Sequence, residues 1–584
     1  MYEDLLLQVR KPAQYIGREW NVAAKDFTGA RIKFALAFPD LYEIGMSNLG
    51  MRIIYGLLNA VPEVVCERFF SVDSDMEQAL RLQKRELLSL ESRKRMGDFD
   101  ILGFSLGSEL DYTNILNMLE LGGIPLRSSM RGKQFPLVIA GGPCALNPEP
   151  MHDFFDLFVI GEAEDVLPKI LNIYAQASED YKSGKTGKDE LLAVLEKING
   201  IYIPSFYEVS YNQEGGVIKF RSKRKGIKPR VSKEFVKNLD DGYYPAQWLV
   251  PHVQIVHDRM AVEVMRGCPN RCRFCQARSQ YFPLRLRSPQ KIKSLAEDIF
   301  RHTGYEELSL LGLSVGDYPD LKGLLSELIT LFKDRGVGLS LPSLKSRSLL
   351  GNISSLIAKV KKTGLTFAPE AGSEKLRGVL GKDFRCEEFF DVLREAYLAG
   401  YQHIKLYFMI GIPNETREDL DAIIDFCLKV SKIRKDLGLP FAQVNVSVNN
   451  LIPKPHTALQ WASMESLGGI IDKQRYLKEK ANRHKRLKMS FHDPKMSILE
   501  CILSRGDRRL AAVIEEAFKR GARFEAWGNH FNFGIWEESF NALGIDWSRY
   551  LNNLPTSDAL PWDFIDTGVS NADLLEEFHN SIAM

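Results

Sequence analysis

Cysteine is scarce here, with eight residues in a chain of 584. So thin a supply argues against a disulfide framework, and the acidic start "MYEDLLLQVRKPAQYIGREW", with only three leucines in a row, does not read as an export signal. A reducing, cytoplasmic setting is expected. Long apolar runs are lacking as well: no window approaches the ~20 residues a membrane span needs, so no membrane partner is expected. An excess of one charge is also missing. With 77 basic and 75 acidic side chains the net charge is +2, which gives no overall drive toward nucleic acid or a lipid surface. There is no internal repeat and no low-complexity tract. What is there is an ordinary globular composition, 45% hydrophobic and 26% charged, at a length beyond one hydrophobic core.

After a leader (1–29), "RIKFALAF", "DILGFSL", "PLVIAGG" and "LFVIGE" read as short buried strands. Helical patterns such as "NLGMRIIYGLLNAV" and "TNILNMLELGG" lie between them. That alternation predicts an α/β fold, a doubly wound Rossmann-like domain over 30–178. Residues 179–250 read as a linker containing a hairpin around an "EGG" turn. A basic run from Arg221 to Lys233 follows, either a solvated linker or a phosphate contact. From 251 to 480 the alternation returns, with "MAVEVMRG", "ELSLLGL", "GLSLPSL", "GLTFAPEAG", "HIKLYFMIGIP" and "AQVNVSVNNLIP" as candidate strands. Six βα-like units suggest a partial (β/α)6 barrel, with its chemistry at the strand C-terminal ends. Residues 481–584, which hold Trp527, Trp536, Trp547 and Trp562, read as a small helical domain.

Three of the eight cysteines crowd into "EVMRGCPNRCRFCQARSQ", at Cys268, Cys272 and Cys275. A structural zinc site needs a fourth ligand. His257 is upstream, but no second C-x2-C pair or H-x3-H follows. An iron–sulfur cluster held by three thiolates is the other option, and it leaves one iron open to a small molecule. The loop after the first barrel strand is where a barrel places such chemistry.

The spacing C-x3-C-x-aromatic-C, with Phe274 as the aromatic, resembles the motif of the radical S-adenosylmethionine (SAM) superfamily. The resemblance implies a [4Fe–4S] cluster on Cys268, Cys272 and Cys275, with SAM chelated at the open iron beside Phe274 and cleaved to a 5′-deoxyadenosyl radical. It also implies an electron donor such as flavodoxin or ferredoxin. Gly316 and Asp317 in "LSVGDY" stand nearest the family's contact to the SAM amino group. Glu370 in "FAPEAGSEKLR" resembles the acid that contacts SAM, the alternative being a buried acid paired with an arginine. Gly411 in "YFMIGIPNET" resembles the glycine that lets the backbone approach adenine. In "VNVSVNN", alternation sets Asn445, Ser447 and Asn449 on one face, expected to line the substrate cavity, the alternative being an exposed edge strand.

In the N-terminal domain, "FPDLYEIGMSNLG" resembles the Asp-x-His-x-x-Gly loop of cobalamin-binding domains through Asp40 and Gly45, with Tyr42 in the place of the histidine. Ser105 and the pair Gly141 and Gly142 resemble later segments of such domains, the alternative being a doubly wound domain for another nucleotide-like ligand. A phenol is a poor donor to cobalt, so cobalamin here is expected to lack a protein axial base. Together these matches resemble the cobalamin-binding radical SAM proteins. They imply a radical SAM enzyme that methylates an unactivated carbon of an unknown metabolite, peptide or RNA. The alternatives are a radical rearrangement, cyclisation or oxidation without methyl transfer, and a cobalamin or redox sensor. The run "NRHKRLK" (482–488) keeps RNA among the candidate substrates.

Overall fold

The computed structural model describes residues 3–212, 216–340 and 365–583. Ile32–Phe38 (β1), Val64–Phe70 (β2), Ile101–Ser105 (β3), Leu137–Gly141 (β4) and Leu157–Val159 (β5) form a parallel sheet in the order β2-β1-β3-β4-β5. Ile201–Tyr202 (β6) closes its far edge antiparallel. The strand order reverses between β1 and β3, which opens the crevice where doubly wound sheets take ligands. The sequence reading had no strand at β2, which is buried along its whole length. Its middle carries Glu67 and Arg68, and burial is possible because both are paired. Ser92 donates to Glu67, while Arg68 meets Glu19 at 2.8 Å and Glu91 at 2.6 Å.

Tyr207–Tyr211 (β7) and Val217–Ser222 (β8) make the expected hairpin, although its turn falls partly on 213–215, outside the described residues. Val231–Ser232 (β9) pairs in parallel with a strand near the end of the chain. The basic run is largely taken up by the protein itself. Arg221 pairs with Glu208, Arg224 with Asp189, Arg230 donates to the Asp563 carbonyl, and Lys233 donates to three carbonyls, of Ser279, Gln280 and Phe282.

Met260–Glu263 (β10) begins the second parallel system. Met265–Arg266 (β11) and Arg285–Leu286 (β12) form a short antiparallel ladder beside it. Glu307–Leu311 (β13) and Gly338–Ser340 (β14) join β10 in a three-stranded sheet. Leu365–Glu370 (β15), His403–Ile410 (β16), Gln443–Asn450 (β17) and Leu487–Phe491 (β18) make a four-stranded one. Part of "GLSLPSL" lies outside the described residues. The helices Pro289–Thr303, Leu321–Phe332, Cys386–Leu398, Arg417–Asp436 and Leu467–Ala481 pack on these strands in one core. The sheet continues through β18, beyond the expected boundary at residue 480.

The C-terminal helices Pro494–Ser504, Leu510–Lys519 and Phe533–Ala542 do not make a core of their own. Ile498, Ile502, Val513, Phe518 and Trp536 belong to the same continuous core as the N-terminal sheet. Ile565–Asp566 (β19) is the partner of β9. The class is α/β, as expected. No helix among the described residues is long and apolar enough to cross a membrane.

Candidate active site

The cysteine loop leaves β10 and is closed at its base by the β11–β12 ladder, which pairs Met265 with Leu286 and Arg266 with Arg285. Gly267 opens the loop at φ +93°. A Cβ there would lie 2.8 Å from the Leu284 Cα and the Pro283 and Tyr281 carbonyl oxygens, so no side chain fits. Glu162, from the N-terminal domain, accepts from Arg266 at 2.8 Å and from Arg285 at 2.9 and 2.7 Å, tying both sides of the ladder. Burial alone would raise the Glu162 carboxyl, but the two guanidiniums overcome it and hold it low. On the far side, Arg273 N–H donates to the Leu380 carbonyl at 2.9 Å and its guanidinium to those of Gly378 and Val379. Phe274 packs against a small core containing Ala371, Leu376, Trp461 and Phe578.

Within this frame Cys268, Cys272 and Cys275 are half-buried free thiols. Burial pushes the Cys272 thiol up to about 11, with Lys382 opposing, and raises Cys275 too. A metal would therefore have to displace protons to bind there. Among the described residues no three His, Cys, Asp or Glu side chains gather tightly enough for a single metal ion. His257 lines a separate cavity of about 260 Å³ with Arg52 and Trp248, so it does not complete a zinc set. The three thiols are brought together by one loop.

Two other segments reach the thiols. Asn270 Nδ2 donates to Cys268 Sγ at 3.2 Å and to Asp317 Oδ2 at 3.2 Å; Asp317 also accepts from Ser314 Oγ at 2.6 Å. Gly316 shares that short turn, Val315–Asp317. Glu370 ends β15 at a register shift and at φ +68°, a conformation a non-glycine residue seldom holds. Its partner is Lys382 at 3.1 Å, not an arginine. Burial raises the Glu370 carboxyl, against the pull of Lys382. Lys382 lies close enough to Cys272 and Cys275 for their charges to act on it. The sequence reading missed Lys382 and Asn270, which carry no spacing signal.

Gly411, at φ +80°, lines another cavity, of about 670 Å³, with Glu415, Trp461, Glu465 and Lys473; no cysteine lines it. Asn445 and Asn449 are exposed and Ser447 is half-buried, while Val444, Val446 and Val448 are buried in the core. The polar positions of β17 thus share the face opposite its buried valines.

A slot of about 420 Å³ joins the two halves of the molecule. Ser105, Gly141 and Gly142 line it at the ends of β3 and β4. Phe34, Gly103 and Ile139 carry it along the sheet, and Glu263 and Arg266 from the base of the cysteine loop form its polar end. Gly142 is at φ +119° and Gly161 at +113°, where a Cβ would strike backbone. A mostly apolar slot lined by several glycines, with carboxylates and a guanidinium at one end, offers a seat for an apolar ligand body beside charged groups. Asp40, Tyr42 and Gly45 are not part of its lining. Asp40 accepts from Trp527 Nε1 at 3.0 Å. Tyr42 donates to Glu19 Oε1 at 2.9 Å, and burial followed by the Glu19 charge raises its phenol far above the usual range. Gly45 makes room for Phe70, whose ring would lie 2.2 Å from a Cβ.

Comparison with known proteins matches residues 50–204 to the family Radical SAM proteins, N-terminal, and residues 262–427 to the Radical SAM superfamily. An uncharacterized protein of Methanocaldococcus jannaschii is 29% identical over 483 residues, 82% of this chain and 90% of that protein. An uncharacterized methyltransferase of Pyrococcus horikoshii is 26% identical over 260 residues, covering 42% of this chain and about half, 51%, of the relative. Among solved structures, the radical SAM methyltransferase TsrM from Kitasatospora setae, with cobalamin and a [4Fe–4S] cluster bound, superposes with a TM-score of 0.50 at 12% identity. The match covers 88% of this chain and 100% of TsrM, a likeness of fold.

Proposed function

The chain belongs to the radical SAM superfamily and is a radical SAM enzyme, and from that premise we propose that it methylates an unactivated carbon of its substrate with the help of cobalamin. Cys268, Cys272 and Cys275 would hold a [4Fe–4S] cluster and the slot at Ser105, Gly141 and Gly142 would hold cobalamin. When bound, the cluster supplies an electron to SAM and cobalamin carries a methyl group. The chain's own residues have distinct tasks. The β11–β12 ladder and Glu162 fix the cysteine loop. Asn270 steadies the Cys268 sulfur and links it to Asp317. Glu370, with Lys382, would present a carboxylate to SAM, and Gly316 and Asp317 would meet its amino group. Gly411 belongs to a cavity apart, so a direct role at adenine needs that cavity to be continuous with the loop. Asn445, Ser447 and Asn449 offer amide and hydroxyl groups to the substrate.

The observation that carries this reading is the single slot shared by the N-terminal sheet and the base of the cysteine loop. One ligand seated there touches both halves. The test is anaerobic reconstitution with iron, sulfide, cobalamin and SAM, followed by product analysis. Cluster absorbance should vanish on triple replacement of the cysteines by Ala. The intact protein should release 5′-deoxyadenosine and, with substrate, S-adenosylhomocysteine. Full iron retention in the triple variant would sink the cluster assignment. Deoxyadenosine without any cobalamin binding would remove the methyl-transfer half.

A further inference from the structure

The face of β15–β18 turned away from the buried core carries two exposed lysines, Lys405 and Lys488. Lys405 of β16 is in register with Asn445 of β17, and Asn445 with Lys488 of β18, so the three form one row across adjacent strands. Two residues further along, Tyr407, Ser447 and Ser490 form a second row. The alternate positions Ile404, Leu406, Val444 and Val446 are buried in the core, which fixes the facing of both rows. Strands lie about 4.8 Å apart, so the two lysine Cα atoms are about 10 Å apart with an amide between them.

Neither lysine has a carboxylate within ion-pair distance among the described residues, and the Lys405 ammonium lies 4.9 Å from the Tyr407 ring. Three nearby lysines are paired, Lys382 with Glu370, Lys473 with Glu415 and Glu465, and Lys480 with Asp421, whereas Lys405 and Lys488 share one row across adjacent strands. Lysine on an edge strand often only blocks aggregation, and β18 is an edge. That explanation fails for Lys405, because β16 is flanked by β15 and β17. Thr366, in register with Lys405, extends the row without adding an acid. The rows offer ammonium, amide and hydroxyl groups and no carboxylate.

We propose that the substrate is a small molecule whose anionic group, a carboxylate or a phosphate, is seated between Lys405 and Lys488 over Asn445. Its reacting carbon would point toward the cysteine loop. Glu370 is level with Phe408, three residues along from Lys405, so the anionic seat lies about 10 Å below the Glu370 end of the sheet. Two cations suit one small anion. A nucleic-acid backbone takes a longer stripe of them; the run 482–488 places Arg483, Lys485 and Arg486 before Lys488, but Arg486 is stacked on the Phe441 ring and the net charge of +2 provides no overall field, so RNA is kept as an outcome of the test. The inference rests on the radical SAM reading, since it places a substrate beneath that site.

The test titrates pyrophosphate and succinate into the full-length protein at low ionic strength, followed by calorimetry. The unsubstituted protein should bind at least one of them. Lys405→Gln and Lys488→Gln should each weaken binding at least tenfold, their combination should abolish it, and the Lys405→Arg/Lys488→Arg pair should restore it. Preference for pyrophosphate assigns a phosphate and preference for succinate a carboxylate. Both positions are exposed, and circular dichroism checks that the variants fold. Equal binding by the double Gln variant, or none by the unsubstituted protein, would overturn the proposal. So would lysine-dependent binding of a short RNA in place of both small anions. Release of 5′-deoxyadenosine by the same unsubstituted preparation is measured in parallel. Its absence would defeat the enzyme reading, whereas its presence without anion binding would defeat only this inference.

Discussion

His456 and Glu525 are buried groups that pull stability in opposite directions over the same pH range. Burial lowers His456 to about 4, despite its 3.0 Å hydrogen bond to the Leu146 carbonyl. Burial raises Glu525 to about 7, although Trp536 Nε1 donates to it at 3.1 Å. Between about pH 4 and 6.5 the unfolded chain takes a proton at His456 that the folded protein refuses, so stability rises with pH, by on the order of 3 kcal/mol in all. Between about pH 4.5 and 7 the folded protein keeps a proton at Glu525 that the unfolded chain releases, so stability falls by a similar amount, roughly 3 kcal/mol. Denaturant titrations from pH 4 to 7 should show the two slopes separately: His456→Gln removes the rise and Glu525→Gln removes the fall. Parallel pH profiles for both variants and the unsubstituted protein would refute the pair. At this scale the cysteines were legible because their spacing is local. Asn270 shares their loop, yet it and Lys382 were not, since their roles depend on Asp317 and Glu370, brought in by folding.

Elements were legible where burial goes with apolar sequence. β1, β3 and β4 read correctly because their strands are nearly continuous apolar runs, as two-sided burial demands, and β16 because its first half alternates exposed polar with buried apolar residues. β2 escaped notice because "VVCERFF" carries two charges at its centre, and only the distant Glu19 and Glu91 make its arginine burial-compatible. The β11–β12 ladder escaped for another reason. Two-residue strands carry no periodicity, and what holds this pair is Glu162 reaching over from another domain. Glu162→Gln should leave Arg266 and Arg285 short of their shared charge and destabilise the protein by about 3 kcal/mol. After reconstitution, iron should pass to a chelator about tenfold faster, because the loop that bears the ligands loses its support. Unfolding midpoint and iron-release rate both equal to those of the unsubstituted protein would show that the ladder stands without the bridge.

The whole molecule departs most from a reading of separate domains at its C-terminal end. An amphipathic helix such as "SRGDRRLAAVIEEAFKRG" shows that it has an apolar face, but not which surface covers it. Here Arg508 pairs with Glu149 at 2.7 Å across 359 residues of sequence, and the C-terminal helices share one core with the N-terminal sheet. Lys454 concentrates this joining in one side chain. It leaves the segment after β17 and meets Glu109 of the N-terminal domain at 2.9 Å and Glu500 of the Pro494–Ser504 helix at 2.8 Å. Burial by itself would lower the ammonium, but the two carboxylates hold it well above the usual range. Lys454→Met would leave two carboxylates facing each other without a cation. Near pH 8 the loss should be about 3–5 kcal/mol. It should shrink toward pH 5, because the bared carboxyls take up protons in the folded state at a pH where the unfolded chain does not. Tryptophan fluorescence, weighted to the C-terminal region, and far-ultraviolet circular dichroism should shift together, since one core spans both ends of the chain. A shift in fluorescence alone would mean that the C-terminal helices unfold independently. A loss that stays constant from pH 8 to pH 5 would mean that Lys454 contributes packing and not charge.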